Sequence, residues 1–310
     1  MDNFLVSIII PVYNEEKNIL PLLKRLTAVV KKYSHEIIFI DDGSTDNTVK
    51  EVKKKAARNK SVKLVAFSRN FGHQMALASG YETAKGDCVI SMDSDQQDPP
   101  EIIPQMIQAW QKGVKVVYAR REKRDVDGIL KRVTASFFYK LMNFLSDFPI
   151  PQEVGDFRLL DREIVDYLNN LQERSRFLRG LVAWSGQPAI FISFKREKRF
   201  TGETHYTFSK MMNFALEGIT SFSTKPLRMA TYFGFLTSGL SILIIVIKVI
   251  QHFIFNQGDW LPGWASLFFS IVFLGGVQLI TIGIIGEYIG KIYKEVQKRP
   301  QFIIKETVNV

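Results

Sequence analysis

The sequence holds a single cysteine, Cys88, among 310 residues. One thiol can form neither an intrachain disulfide nor a cysteine zinc site, so stability must come from a packed core, and the compartment reads as reducing. The opening MDNFLVSIIIPVYNEEKN lacks a basic leader and its apolar run is short, the pattern of a first strand and not of a signal peptide. Zinc-finger spacing, aromatic RNA-binding motifs, internal repeats and low-complexity segments are all missing. The formal charge of +10 therefore argues for anionic lipid or a phosphorylated substrate and against nucleic acid.

Charge itself is missing from two long runs. Residues 229–247 (MATYFGFLTSGLSILIIVI) and 265–286 (ASLFFSIVFLGGVQLITIGIIG) are 19 and 22 residues without a charged side chain. About 20 apolar residues cross a bilayer. The linker between them carries one formal charge, Asp259, and two tryptophans suited to the interface, whereas Lys291, Lys294, Lys298 and Arg299 follow the second run. The positive-inside rule then places both termini in the cytoplasm. The expected organisation is a cytoplasmic catalytic domain over 1–205, an interfacial amphipathic stretch over 206–228, a transmembrane hairpin over 229–290 with spans near 229–252 and 265–288, and a cytoplasmic tail over 291–310. Two spans leave helix surface free for a homo-oligomer.

The first 120 residues alternate. Apolar runs at 5–10, 36–41, 63–67, 88–92 and 115–119 read as buried strands, and 15–32, 47–58, 74–84 and 101–112 read as helices, with Asn14 and Asp46 as caps. Strand–helix alternation predicts an α/β fold with a mostly parallel sheet, whose ligands sit at the carboxyl ends of the strands. Beyond about residue 125 the pattern turns helical over 129–146 and 161–183, with a strand at 189–194.

The chemistry-bearing residues fall at those strand ends. Asp93-Ser94-Asp95 follows the fourth apolar run, and alternate residues of an extended chain point the same way, with Gln97 next in register. Oxygen ligands of this kind suit Mg²⁺ or Mn²⁺, which bind through a few carboxylates plus substrate phosphates. An isolated Asp-x-Asp is more often a solvated turn; its place after a strand and before Asp98-Pro99-Pro100-Glu101 favours the metal. Asp41 and Asp42 end the second strand, where they can accept hydrogen bonds from a ribose or a base, and Pro11, Tyr13 and Glu15 can shape a base pocket.

Taken together, SIIIPVYNEE, IDDGSTDNT, SRNFGHQMALASGYETAKGD, MDSDQQDPPE and VGDFRLLDR resemble glycosyltransferase family 2 of the A-type, Rossmann-like fold. More narrowly they resemble its membrane-anchored polyprenyl-phosphate glycosyltransferases, relatives of dolichol-phosphate mannose synthase and closest to the undecaprenyl-phosphate glucosyltransferase branch. The resemblance runs through GITSFSTKPLR and both apolar runs, and departs at RFTGETHY, where the family usually has Ser-Lys in place of Thr204-His205. It implies that Pro11, Tyr13, Glu15, Asp42 and Asp93 hold the nucleotide-sugar. It further implies that Asp93, Asp95 and Gln97 hold the divalent ion, that Asp95 and Asp156 are catalytic, and that Arg120, Arg132, Ser136 and Arg199 face the lipid phosphate.

The implied reaction is transfer of a sugar, glucose from UDP-glucose, to undecaprenyl phosphate with inversion. A phosphate monoester with a second pKa of about 6 is largely a dianion at neutral pH and is already nucleophilic. Asp156 then has little need to accept a proton and can serve to orient or stabilise charge. A processive polysaccharide synthase is disfavoured, because two spans enclose no channel and the Gln-x-x-Arg-Trp motif of such enzymes is missing. A non-catalytic membrane-anchored nucleotide-binding scaffold is disfavoured by the intact Asp93/Asp95 pair.

Overall fold

The computed structural model describes residues 4–122, 154–171, 173–174, 176–195, 220, 223–253 and 263–310. Arg132, Ser136, Arg199, Thr204-His205, the helical expectation over 129–146 and nearly all of the interfacial stretch lie outside the described residues.

Eight strands form one sheet: β1 (Leu5–Val12), β2 (Ser34–Asp41), β3 (Val62–Phe67), β4 (Cys88–Ser91), β5 (Val116–Arg121), β6 (Val154–Asp161), β7 (Ala189–Phe194) and β8 (Ile304–Val308). Their order is β7-β5-β6-β4-β1-β2-β3-β8. β1 pairs in parallel with β2 and β4, β2 with β3, and β5 with β7. β6 is antiparallel between β4 and β5, and β8 is antiparallel to β3 at the edge.

Near-continuous apolar runs mark strands covered on both faces. On β1, Ile8 and Ile10 pack with Ile19, Leu22 and Leu26 of α1 (Glu16–Val30) and with Met106 and Ile107 of α4 (Ile103–Gln111). Ile9, one residue out of phase, packs on the other face with Leu77 and Tyr81 of α3 (His73–Thr83), Leu168 of α5 (Arg162–Asn170) and Leu181 of α6 (Leu178–Trp184). At Gly80 of α3 an added Cβ would run into the Ile9 side chain, so glycine sets how closely α3 sits on β1.

Three expectations are corrected. Asn14 does not cap α1. It takes a left-handed φ of 55°, and its Oδ1 accepts from Thr45 N–H at 2.8 Å, tying the β1–α1 loop to the next one. Asp46 is the residue that caps: its Oδ1 accepts from Thr48 N–H at 2.9 Å at the start of α2 (Thr48–Ala56), and its Oδ2 from Glu16 N–H at 3.2 Å. Second, the stretch VGDFRLLD is strand β6, which sequence patterning missed because Asp156 and Arg158 interrupt its apolar alternation.

The third correction concerns the carboxyl-terminal residues, expected as a tail. The apolar runs form α7 (Lys225–Phe253) and α8 (Trp264–Gln297), whose large apolar side chains face outward: Phe235 is 74% exposed and Leu279 71%. At 1.5 Å per residue the 34 residues of α8 extend roughly 50 Å, well beyond a hydrocarbon core of about 30 Å. The helix ends at Lys298, in the left-handed region with φ 49°, and the chain returns to the sheet as β8. Phe302 stacks on Phe67 of β3 with centroids 4.9 Å apart. Asn309 Nδ2 donates to the Ala56 and Val62 carbonyls, and Lys53 pairs with Glu306 at 2.5 Å. At the end of α8, Arg174 N–H donates to Glu295 Oε1 at 2.8 Å, and Gln301 Nε2 donates to the Glu173 carbonyl at 2.8 Å. The helical pair is thus fastened to the sheet at its far end as well as by chain continuity.

Truncating the partly buried Phe302 removes the ring that plugs β8 onto β3. Phe302→Ala should destabilise the full chain by about 1–3 kcal/mol, less than a fully buried phenylalanine costs. Thermal unfolding of the purified protein checks this, and an unchanged Tm would show that the Phe302–Phe67 contact contributes no stability.

Candidate active site

β1, β2 and β4 end on the same side of the sheet, and the start of antiparallel β6 lies beside them. The β4–β6 register pairs Ser91 with Arg158, and continuing it two residues sets Asp93 across from Asp156. A cleft of about 1180 Å³ opens there. It exceeds the ordinary range of small-molecule sites, about 300–1,000 Å³, and leaves room for two substrates. Pro11, Tyr13 and Glu15 line it after β1, Asp42 after β2, Asp93 and Asp95 after β4, and Asp156 from β6.

Each of these residues has a local reason to be where it is. Tyr13 is 46% exposed, an aromatic face open to the cleft. Glu15 holds its loop by donating its N–H to Thr48 Oγ1 at 2.9 Å and by accepting from Asn18. Asp42 is buried; its two carboxylate oxygens accept from the N–H groups of Phe71 at 2.6 Å and Gly72 at 2.9 Å, fixing the loop before α3. Burial pushes its carboxyl above the usual range despite those bonds. Asp95 Oδ1 accepts from Gln97 N–H at 3.0 Å. Gln97 itself does not line the cleft. β4 stops at Ser91 and Gln96 turns left-handed at φ 60°, so the alternation that would have aimed Gln97 beside the aspartates ends before it.

At the centre sits Asp156, 1% exposed. Arg179 grips it with both ends of its fork, Nε to Oδ1 at 3.0 Å and Nη2 to Oδ2 at 2.7 Å. Arg158, wholly buried, adds Nη2 to Oδ1 at 3.1 Å, and His73 Nε2 lies 3.2 Å from Oδ2. Burial alone would raise the Asp156 pKa. The Arg179 charge, with His73 and Arg158, outweighs it and holds the carboxyl well below the usual carboxylate range. His73 Nε2 is also 3.6 Å from Asp93 Oδ1, which links the two strand ends through one ring. Burial opposes charging of that ring, but Asp156 and Asp93 together raise its pKa.

Two carboxylates, Asp93 and Asp95, face the open cleft, and no group of three or more His, Cys, Asp or Glu suited to a metal occurs among the described residues. This fits an ion such as Mg²⁺ or Mn²⁺ that takes one or two protein carboxylates and completes its shell with water and substrate phosphate.

Of the four residues expected to face a lipid phosphate, only Arg120 is described, and it is turned elsewhere. Its guanidinium lies 3.7 Å over the Phe191 ring of β7, and it does not line the cleft. Sequence reading missed the cations that do. Arg174 and Arg179 come from the segment ERSRFLRG, and Lys291 and Lys294 from the end of α8. Three arginines within six residues, 174, 176 and 179, were a visible signal in the sequence. Arg176, largely buried, is spent on Glu82 at 3.1 Å and the Leu171 carbonyl at 3.2 Å, and so braces the segment.

Comparison with known proteins gives two family matches, Glycosyl transferase family 2 over residues 7–168 and GtrB C-terminal hairpin over residues 225–292. The chain is 43% identical over 303 residues to an uncharacterized glycosyltransferase of Synechocystis, covering 97% of this chain and 95% of the relative. It is 44% identical over 304 residues to a prophage-derived bactoprenol glucosyl transferase of Shigella flexneri, covering 97% and 98%. A crystal structure of a mycobacterial protein shares the fold at 21% identity and a TM-score of 0.50, over 70% of this chain and 73% of that one. With its cleft at the carboxyl ends of parallel strands and likeness running nearly end to end, this chain belongs to glycosyltransferase family 2, as an enzyme whose residues 225–292 form a membrane-associating hairpin of the GtrB type.

Proposed function

We propose that the protein transfers glucose from UDP-glucose to a polyprenyl phosphate, with inversion, at the cytoplasmic face of the membrane. The observation that supports this is the composition of a single cleft, which brings the strand-end carboxylates together with Arg179 and the lysines at the end of α8. The Shigella relative's name, bactoprenol glucosyl transferase, supports the sugar and the lipid.

In this reading Tyr13, Pro11 and Glu15 seat the nucleoside, and Asp42 shapes the loop behind it. Asp93 and Asp95 would hold Mg²⁺ or Mn²⁺, which supplies neutralisation of the charge that develops on the leaving diphosphate. An acceptor phosphate oxygen attacks the anomeric carbon, the bond from that carbon to the diphosphate oxygen breaks, and UDP leaves. The acceptor is already anionic, so no side chain need remove a proton. Asp156, held ionised by its cations, is not the base; it aims Arg179 and His73 into the cleft and balances their charge.

Purified protein in detergent should move labelled glucose from UDP-glucose into an organic-extractable lipid phosphate. Chelation with EDTA should abolish transfer and added Mg²⁺ or Mn²⁺ restore it; full activity in chelator would refute the metal assignment, and no labelled lipid from any UDP-sugar would refute the function.

Asp156→Asn should lower kcat by roughly tenfold to a thousandfold, on the scale of about 1.5–4 kcal/mol for a lost charged contact in a dry site. It should also lower Tm, because Arg158 and Arg179 lose their counter-charge. The sign with pH follows: a carboxylate with a depressed folded pKa stabilises at neutral pH and loses that contribution only as pH falls through the folded value, below the ordinary carboxylate range. A wild-type kcat that falls with a single ionisation near neutrality, lost in Asp156→Asn, would instead make Asp156 the base.

Pairing of β8 with β3 keeps the carboxyl terminus on the catalytic domain's side of the membrane. A cysteine at Asn256, with Cys88 replaced, should label with an impermeant reagent in intact cells; labelling only after lysis would reverse the orientation.

A further inference from the structure

The final turns of α8 have two unlike faces. Ile289, Ile292, Tyr293 and Val296, at spacings of three and four, are 59–72% exposed and continue the apolar surface of the span. The other face carries Gly286, Gly290, Lys291 and Lys294, and these line the same cleft as Asp93 and Asp95. One helix therefore presents an apolar stripe outward and a glycine–lysine stripe into the site. An added Cβ at Gly286 or Gly290 would meet nothing within 4 Å among the described residues, so none of these requires a glycine at either position for packing. Each weakens the helix by about 1 kcal/mol relative to alanine. What they leave is space along the cleft wall. Among the described residues of α8 that line the cleft, Glu287 is the one carboxylate beside Lys291 and Lys294, and Arg174 lines the cleft as well.

We propose that this face of α8 is the passage between the membrane surface and the strand-end carboxylates. Lys291 and Lys294 dock the acceptor phosphate, and the gap over Gly286 and Gly290 admits the first isoprene units behind it. The inference rests on the proposed transfer to a lipid phosphate and assigns that substrate's path. A lipid phosphate lies at the headgroup plane, where the span of α8 gives way to these lysines. Ammonium groups on flexible stems suit such a transit site, holding a phosphate as point charges without a fixed fork. The fork belongs further in, at Arg179, which Asp156 fixes in place.

The test uses the full chain in nanodiscs with undecaprenyl phosphate, reading KM for the lipid beside the Kd for UDP measured calorimetrically with Mn²⁺. The double variant Lys291→Gln/Lys294→Gln should raise the lipid KM by about tenfold or more, the scale of one lost charged hydrogen bond. UDP affinity and Tm should stay at wild-type values, and Lys291→Arg/Lys294→Arg should restore KM. Gly290→Leu, whose Cβ meets nothing within 4 Å among the described residues, should raise the lipid KM while leaving UDP binding intact. An unchanged lipid KM in both variants overturns the passage. So does a fall in UDP affinity that parallels the KM change, which would put the lysines at the donor. If Gly290→Leu alters only the oligomeric mass, the glycine face is a contact between copies and the passage is wrong. Wild-type protein that transfers no sugar to lipid phosphate removes the underlying reading as well, an outcome separate from any variant.

Discussion

In the proposed transfer two phosphate-bearing substrates must meet within bonding distance beside several carboxylates, and like charges in a partly dry cleft repel strongly. The rest of the architecture answers that constraint. Asp156 is buried, yet it is surrounded by Arg158, Arg179 and His73, so the group that would add to the repulsion becomes the counter-ion of a cationic cluster. Removing charge from that centre by protonation is unfavourable, because every neighbour prefers the carboxylate. The cluster therefore stays charged and stays put, and Arg179 reaches the cleft with its orientation already set. Pre-set donors of this kind cost little reorganisation when charge moves during transfer.

That arrangement depends on the sheet. β6 runs against β4, and only this direction sets the beginning of one strand beside the end of the other, so that Asp156 comes level with Asp93. His73, at the first turn of α3, closes the triangle, and α3 starts where it does because Asp42 holds the Phe71 and Gly72 N–H groups. Gly43 permits the turn after Asp41 and Asp42, with φ 75° and the Arg69 backbone too close for any side chain. The ends of β2 and β6 are in this way tied through one loop, and a shift in either is felt by the other.

Much of this was legible from sequence, for a physical reason. β1 to β4 are covered on both faces, so they read as unbroken apolar runs, and the carboxylates that follow them stand out against that background. Tyr13, Glu15, Asp42, Asp93 and Asp95 are brought to one cleft as their positions at strand ends suggested, and Asp156, named only through the family resemblance, joins them from β6. What escaped reading was set by long-range pairing. Arg158 looks like a surface residue until β6 is seen buried with its guanidinium against Asp156. Residues 304–308 carry a weak alternation broken by Lys305 and Glu306, and only the exposed edge of β3 makes a strand of them. Gln97 was misplaced by extending a strand's alternation through a left-handed residue, and Arg120, carried over by family resemblance, lies over the Phe191 ring instead.

The return of the chain to the sheet gives the hairpin a mechanical meaning. A domain tethered to a membrane at one point can tumble, and its cleft would face the lipid only part of the time. Here the chain leaves the catalytic domain, passes through α7 and α8, and is pinned back by β8, by Phe302 on Phe67 and by the Arg174–Glu295 bond. At the base of the hairpin Tyr288 donates to the Ser223 carbonyl at 2.5 Å, joining the lower end of α8 to the approach to α7. With both ends of the anchor fixed to the domain, orientation is set by covalent and packed structure, and α8 can serve as one wall of the cleft. The entropy of aligning enzyme and membrane is then met on folding and not at each encounter with a lipid, which is the condition for an interfacial site to work on a substrate that cannot leave the bilayer.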